Sequence, residues 1–315
     1  MNISICITVL NEEKSIGPLL DSLLIQTKRA DEIVIVDGGS TDKTFDILRH
    51  LVKKDKRIKI VREPGNVAHG RNVGVEVAKN DIIATTDTGC IPHTDWLEII
   101  THPFINKNTE IVAGYYDMHT NSPMQKVIGI YLGIHPNRYN PATYLPSTRS
   151  MAFKKQLWER VGGFNEKLDN TGEDTQFVNN IVKTGVKIIR EEEARVDWKE
   201  IEKISFKEAM NKFINYAKGD VQTGIWWSTV NGITSHNIKV LLIFFRYLIG
   251  IILLLLSIFT PSLLVLFEIL FVLYVFWSIF KWRDIIDNWK EILWLPVVQI
   301  SSDFAVMYGF IYGLF

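Results

Sequence analysis

Three carboxylates stand where a fold could put them to work. Asp37 follows the apolar run Ile33–Val36, Asp87 follows Asp81–Thr86, and Asp174 sits in Glu173-Asp174 at the head of a helical pattern. A carboxylate at a strand end, in a turn with two glycines such as Asp37-Gly38-Gly39, can accept hydrogen bonds from a base or a ribose. Asp37 or Ser40 can equally cap the helix that follows. Asp87, in Asp87-Thr88-Gly89, could hold a divalent cation that bridges two phosphates, since hard oxygen ligands suit Mg²⁺ or Mn²⁺. Such a cation offsets the charge on a nucleoside diphosphate as it leaves. Arg71, in Gly70-Arg71-Asn72, could pair with a phosphate or brace the rim. Asp174 lies where a helix N-terminus favours the ionised carboxylate. Facing a cavity it could take a proton from an attacking hydroxyl, with N-capping as the plain alternative.

The elements that must carry these groups alternate. Strands are expected at Ile3–Val9, Glu32–Val36, Arg57–Val61 and Asp81–Thr86, and helices at Glu12–Gln26, Thr44–Val52 and Asn66–Ala78. Strand alternating with helix predicts an α/β fold, a parallel sheet with helices on both faces. In such sheets ligands bind outside the carboxyl ends of the strands, and Asn11, Asp37 and Asp87 each fall at such an end. Beyond Ile91 the pattern is less regular. Helices are expected at Asp95–Phe104, Lys155–Val161 and Glu173–Lys183, strands at Glu110–Met118 and Ser150–Phe153, and a loop over Tyr139–Arg149.

The chain has 315 residues, with 35 basic and 35 acidic side chains. A neutral chain lacks the cation excess that sequence-independent nucleic-acid binding needs. Neither CxxC, HExxH nor GxGxxG occurs, which argues against structural zinc, a zincin and a dinucleotide site. Cys6 and Cys90 sit in apolar surroundings and read as free thiols of a reducing compartment. Met1-Asn2 offers no basic n-region, so the opening segment reads as a strand and not as a signal peptide.

Only nine of the 70 charged residues lie beyond residue 239. Val240–Phe259 and Ser262–Phe280 carry one charge each, and each is long enough for a hydrocarbon layer of about 30 Å. Thr260-Pro261 joins them as a tight hairpin. Lys281, Arg283 and Lys290 follow the second span, while the hairpin tip has no Lys or Arg. The positive-inside rule then places both ends of the hairpin in the cytosol. Residues 292–315 are a third candidate span, weakened by Pro296 and Asp303. Ser205–Tyr216, with Lys207, Lys212 and Lys218, has the composition of a helix lying on a membrane surface.

Taken together these segments resemble the family 2 glycosyltransferases, which have the GT-A fold. Thr8-Val9-Leu10-Asn11-Glu12 resembles the family's first strand and its nucleotide-facing end. Val36-Asp37-Gly38-Gly39-Ser40-Thr41-Asp42 resembles its VD-x-x-S-x-D signature, and Gly70-Arg71-Asn72-Val73-Gly74 its R-N-x-G segment. Thr86-Asp87-Thr88-Gly89 stands where the family usually has D-x-D. Ser147–Phe153, Trp158 and Val161–Phe164 resemble the acceptor-side region, Gly172-Glu173-Asp174 the E-D motif, and Val196-Asp197-Trp198 the late strand.

The resemblance covers residues 1–225. It implies a GT-A sheet, Rossmann-like and mostly parallel, followed by C-terminal transmembrane helices. Residues 1–225 would be a cytosolic catalytic domain, with a juxtamembrane amphipathic helix at about 205–220. Residues 226–315 would be the membrane domain of a multi-pass protein of the cell membrane. Thr8, Asn11, Glu12, Asp37, Arg71 and Asp87 would bind a nucleotide-sugar donor, a UDP- or GDP-sugar. Arg149 and Glu173 would lie on the acceptor side, and Asp174 would be the base of an inverting displacement. The acceptor would be a lipid or lipid-linked glycan. A divalent cation, Mg²⁺ or Mn²⁺, would be held by Asp87 and Asp197.

Two departures bear on the metal. Gly89 replaces the second D-x-D aspartate, and Asp197 stands where many relatives have His. Asp197 could replace a ligand, or simply pair with Arg195 or Lys199. A non-catalytic nucleotide-sugar-binding membrane scaffold is the alternative reading.

Overall fold

The computed structural model describes residues 1–168, 171–226 and 236–315. Its contacts divide the chain into two compact units, residues 1–119 with 140–202 and residues 120–139 with 203–315. Residues 120–139, which include the helix Pro123–Leu132, thus group with residues 203–315.

The first unit is one eight-stranded sheet. Its strands are β1 (Ile3–Val9), β2 (Glu32–Asp37), β3 (Ile58–Arg62), β4 (Ile82–Thr85), β5 (Cys90–Pro92), β6 (Ile111–Asp117), β7 (Met151–Lys154) and β8 (Ile188–Trp198). They lie in the order β3-β2-β1-β4-β7-β6-β8-β5. β1 pairs in parallel with β2 and β4, β2 with β3, and β6 with β8; β7 is antiparallel to both its neighbours, as is β5 to β8. Helices α1 (Ile16–Leu24), α2 (Thr44–Lys54), α3 (Val67–Val77), α4 (Trp96–Thr101), α6 (Lys155–Val161) and α7 (Glu173–Lys183) belong to this unit.

The central strands are apolar almost throughout, as strands covered on both faces must be. All six residues of β2 are buried. Its Glu32 survives burial because its Oε2 accepts from Ser4 Oγ at 2.8 Å and from the Lys79 amide at 2.9 Å. Cys6 and Cys90 are buried free thiols, and burial pushes both pKa values up, away from thiolate chemistry.

The β6–β8 pairing is interrupted. Ala113 faces Arg190 and Tyr115 faces Arg195, so β8 makes an excursion over Glu191–Ala194 while β6 advances through Gly114 alone. A Cβ on Gly114 would come within 2.0 Å of Ser150 Oγ and 2.5 Å of the Ala194 carbonyl, so only glycine lets the two chains close there. Arg195 fixes the far side of the excursion through Asp117 and Glu192, each at 3.0 Å.

The second unit is helical: α5 (Pro123–Leu132), α8 (Phe206–Gln222), α9 (His236–Leu256), α10 (Ser262–Phe280) and α11 (Trp289–Gly313). α8 starts with a capping box in which Ser205 and Glu208 bond each other's backbone. Its stripe of Ala209, Phe213, Ala217 and Val221 is buried, so this amphipathic helix turns its apolar face to protein and not to lipid. α11 is what it meets. A Cβ on Gly309 would fall 2.2 Å from the Ile214 carbonyl, and one on Gly313 2.8 Å from the Lys218 carbonyl. The spacing of four brings both glycines to one face, where the backbones touch.

Three helices, α9, α10 and α11, are long and apolar enough to cross a membrane. Asp303 of α11, 2% exposed, ties them together. It accepts from Arg246 at 2.6 Å and Tyr247 at 3.1 Å on α9, from Tyr274 on α10, and from Gln299 at 2.9 Å.

Candidate functional site

The carboxyl ends of β1, β2 and β4 form one rim. Val9 pairs with Asp37, and Cys6 with Thr85, so the residues that follow these strands emerge side by side. Asn11 has φ 57°, a left-handed conformation that asparagine tolerates better than most residues. That turn lets its Oδ1 accept from the Thr41 amide at 2.8 Å while its own amide donates to Ser40 Oγ at 2.9 Å. The Ser40 amide in turn donates to Asp37 Oδ1 at 2.9 Å. Asn11, Ser40 and Asp37 are thus one hydrogen-bonded corner.

Asp37 is fully buried, and its second oxygen, Oδ2, has no hydrogen-bond donor. Arg62 Nε lies 3.4 Å from it. A buried carboxylate oxygen left open at a strand end is a ready acceptor for a ligand N–H or O–H. Glu12 takes another course. Its carboxylate accepts from Ser15, and its amide donates to Thr44 at 2.7 Å, so it shapes the entry to α1.

The second group is centred on Arg71, whose side chain is 10% exposed. Asn66 caps α3 through the His69 amide, and the helix presents Arg71 to the rim. Gly70 lets this helix approach β1: a Cβ there would sit 3.0 Å from Thr8 Cγ2. The guanidinium donates to Asp87 at 3.0 Å, to Thr148 Oγ1 at 2.8 Å, and to Glu173. Those bonds brace the rim, one of the two roles the sequence left open for Arg71. Thr8, Arg71 and Asp87 line one cleft together with Gly70, Thr86 and Phe164.

Glu173 is 5% exposed and spends Oε1 on Arg71, leaving Oε2 buried without a donor. Asp174 is half-buried beside it and accepts from the Thr175 amide at 2.7 Å. Burial and the Glu173 charge push the Asp174 pKa up to about 6, while Arg71 and Arg149 pull the other way. Arg149 lies over the Trp198 ring at 4.0 Å and the Tyr116 ring at 5.3 Å, which fixes its guanidinium. Asp87, Glu173 and Asp174 therefore share two arginines.

This shift has a consequence for stability. A folded-state pKa above the unfolded value means that the native state holds the proton more tightly between pH 4 and 6. The contribution of Asp174 to stability is then greatest below the unfolded pKa and is lost as pH rises through about 6. Asp174→Asn is expected to raise the melting temperature at pH 7.5 and to leave it unchanged at pH 4. A uniform shift at both values would show that titration is not the cause.

The expected pairing of Asp87 with Asp197 on one cation is not what the chain assembles. Asp87 is drawn to Arg71. Asp197 gathers instead with His93 and Asp117, whose ligand atoms lie within 4.8 Å of one another. Its Oδ1 is 3.0 Å from His93 Nε2 and 3.2 Å from His119 Nε2, and its Oδ2 is 3.2 Å from Lys199. Burial opposes its ionisation, but the bonds from His93 and Lys199 hold its pKa below the usual carboxylate range. Carboxylates with imidazoles make a donor set that Mn²⁺ fits better than Mg²⁺. Gly89 is also not simply a gap. The nearest atoms to a Cβ built there are Glu200 Cβ at 3.6 Å and Glu200 Oε2 at 3.9 Å, so another carboxylate borders the space a second D-x-D aspartate would use.

Comparison with known proteins agrees with this architecture. The family described as Glycosyl transferase family 2 matches residues 4–157. The glycosyltransferase AglE of Haloferax volcanii is 30% identical over 190 residues, 54% of this chain and 58% of that protein. The glycosyltransferase GlyG of Streptococcus pneumoniae is 28% identical over 116 residues, 36% of this chain. The match spans 38% of GlyG and 46% of an uncharacterized glycosyltransferase of Haemophilus influenzae, so the chain covers less than half of these relatives. In fold, the mannosyltransferase PcManGT of Pyrobaculum calidifontis, solved with GDP-Man and Mn²⁺, superposes with a TM-score of 0.67. That likeness covers 100% of this chain and 87% of PcManGT at 17% identity. Staphylococcus aureus TarS 1–349, solved with UDP, gives 0.50 at 20% identity over 77% of this chain and 78% of TarS. Residues 4–157 thus match the glycosyl transferase family 2 domain, and the fold of the chain is GT-A-like.

Proposed function

We propose that the chain is an inverting glycosyltransferase of the cell membrane, its catalytic domain in the cytosol. It would move a sugar from a nucleotide-sugar donor, a GDP- or UDP-sugar, to a lipid or lipid-linked acceptor. One observation carries the reading: a single buried arginine, Arg71, holds Asp87, just past β4, and Glu173, at the head of α7, with Asp174 beside them at a raised pKa. That is an arrangement for poising one carboxylate as a base near neutral pH. Two long apolar helices joined by residues 257–261 in the same chain support a membrane-bound acceptor.

In this reading Asn11 and Asp37 bind the nucleoside, with the open Asp37 Oδ2 accepting from base or ribose. Thr8, with Arg71 and Asp87, lines the donor's cleft, while Glu12 acts through the shape of the turn. The acceptor oxygen attacks the anomeric carbon opposite the diphosphate. A carbon–oxygen bond forms as the bond to the departing phosphate oxygen breaks, which inverts the centre. Asp174 takes the proton of a hydroxyl acceptor. A phosphate acceptor is already anionic and has no proton to lose. Arg149 and the Arg71–Glu173 pair keep the Asp174 carboxylate in place. A divalent cation, held by His93, Asp117 and Asp197, would supply positive charge against the leaving diphosphate.

The test is nucleoside diphosphate release by the purified protein in detergent with membrane lipids, with GDP- and UDP-sugars and Mn²⁺ or Mg²⁺. Absence of release with every donor would remove the reading. Asp197→Ala is expected to abolish a Mn²⁺-dependent thermal shift of the sugar-free protein, and Glu200→Ala to leave it within experimental error. Gly89 favours a second reading, a scaffold that binds donor without turning it over. Donor-induced stabilisation with no release, unchanged in Asp174→Asn, would select it.

A further inference from the structure

α11 has the length and composition of a third span, yet its contacts run across the α9–α10 hairpin and not along it. On α9, the residues that meet α11 extend from Val240, clustered with Phe310, through Phe244 to Arg246 and Tyr247. On α10 they extend from Tyr274, bonded to Asp303, to Lys281, bonded to Gln299. Each stretch is eight residues, counting Lys281 just past the end of α10; its seven steps span about 10 Å at 1.5 Å per residue, which is the diameter of one helix. Two helices packed side by side through a membrane would stay in contact for two to three times that length. The contacts also step along α11. α10 touches Gln299–Asp303 and α9 touches Asp303–Phe310, an offset of five or six residues. That is about 8 Å, the distance between two packed helices. Such a pattern arises when a rod lies over two adjacent rods at a steep angle.

Two further observations fit the crossing. Past Tyr247 on α9 and before Tyr274 on α10 the hairpin's side chains are largely exposed and apolar, as at Leu248, Ile251, Leu255 and Leu273. The rest of the hairpin therefore projects away from α11. α11 itself has two faces. Leu295, Val298, Ser302 and Ala305 are buried with Gly309, where α8 lies against the backbone. The opposite face exposes Trp289, Leu293, Val297, Phe304, Tyr308 and Ile311 in steps of three, four and seven. Were α11 a span, α8 would have to follow Gly309 and Gly313 into hydrocarbon with Lys212, Lys218 and Asp220, charges the bilayer interior disfavours.

We propose that α11 is an in-plane membrane-surface helix and that, among the described residues, the membrane crossing is made by the α9–α10 hairpin. The apolar stripe from Trp289 to Ile311 rests on the acyl boundary of the lipid. α8 and α5 cover its other side, and Asp303 bonds to both hairpin arms where they enter the bilayer. The occupant of the stripe is lipid because the face is continuous with the bare apolar surface of the hairpin that projects beyond it.

Single cysteines at Lys290 and Leu314, in sealed vesicles of known orientation, test this with a membrane-impermeant maleimide. Both are expected to label from the side that labels Lys107→Cys in the first unit. Labelling of Leu314→Cys from the opposite side only would overturn the proposal. Spin labels at Leu293, Phe304, Tyr308 and Ile311 provide a second readout. An in-plane helix gives all four the same shallow depth, whereas a span grades them over about 27 Å. Four labels with no exposure to lipid-dissolved oxygen would also refute it, leaving the stripe to a second copy of the chain. All six positions are exposed; Phe304 and Tyr308 also meet the Tyr247 and Tyr312 rings, so Leu293 and Ile311 serve as the reference labels.

Discussion

Asp174→Asn is expected to lower turnover by about 10²–10⁴-fold with a hydroxyl acceptor and by far less with a phosphate acceptor. The asymmetry follows from the proton. A hydroxyl must lose one as its oxygen bonds to the anomeric carbon, and an amide cannot take it. A phosphate oxygen brings no proton, so the variant loses only whatever Asp174 contributes to positioning. With Asp174 near pKa 6, wild-type turnover of a hydroxyl acceptor should rise as pH increases through 6 and then level off. The residual rate of the variant should show no such rise. Steady-state rates with both acceptor types, measured at saturating donor between pH 5 and 8, decide it. An equal loss with both acceptors would deny Asp174 the role of base.

The second large effect is on stability. Arg71→Met is expected to destabilise the first unit by about 3–5 kcal/mol, because it strands buried carboxylates that the guanidinium now balances. Glu173 is the critical one, at 5% exposure and with one oxygen already lacking a donor. Glu173→Gln in the Arg71→Met background should therefore return a large part of the loss, since it removes the stranded charge. Denaturant midpoints for the two single variants and the double variant measure this coupling. Additive losses would show that the Arg71–Glu173 contact carries little energy.

Much of the sheet was legible because its physics is local. β1 and β2 are unbroken apolar runs, and Asp37-Gly38-Gly39 and Asn66 mark the stops and starts between elements. The strands ending at Asp37 and Asp87 were recoverable for the same reason, and so was the placing of both carboxylates on one rim. The elements assembled by distant pairing were not. β5 is three residues long and owes its existence to β8. α5 fell within a stretch that offered no usable period. His93, His119 and Asp117 could be found only through the register that lays β5 and β6 beside β8. Only coordinates reveal Glu200 bordering Gly89, because the two meet in space and not in sequence. Asp197 illustrates the limit well. The sequence offered Arg195 and Lys199 as partners, and Lys199 is one of them, but the two imidazoles arrive from other strands.

The excursion in β8 has a geometric corollary. Between the two registers that flank it, β8 spends five steps where β6 spends two. The surplus of three is odd, and side chains of a strand alternate between faces with a period of two. The surplus therefore inverts the phase of everything after it, so that Asp197 and not Val196 or Trp198 shares a face with Asp117. The run Glu191-Glu192-Glu193 acts as a counter: its parity governs which side chains arrive beside His93.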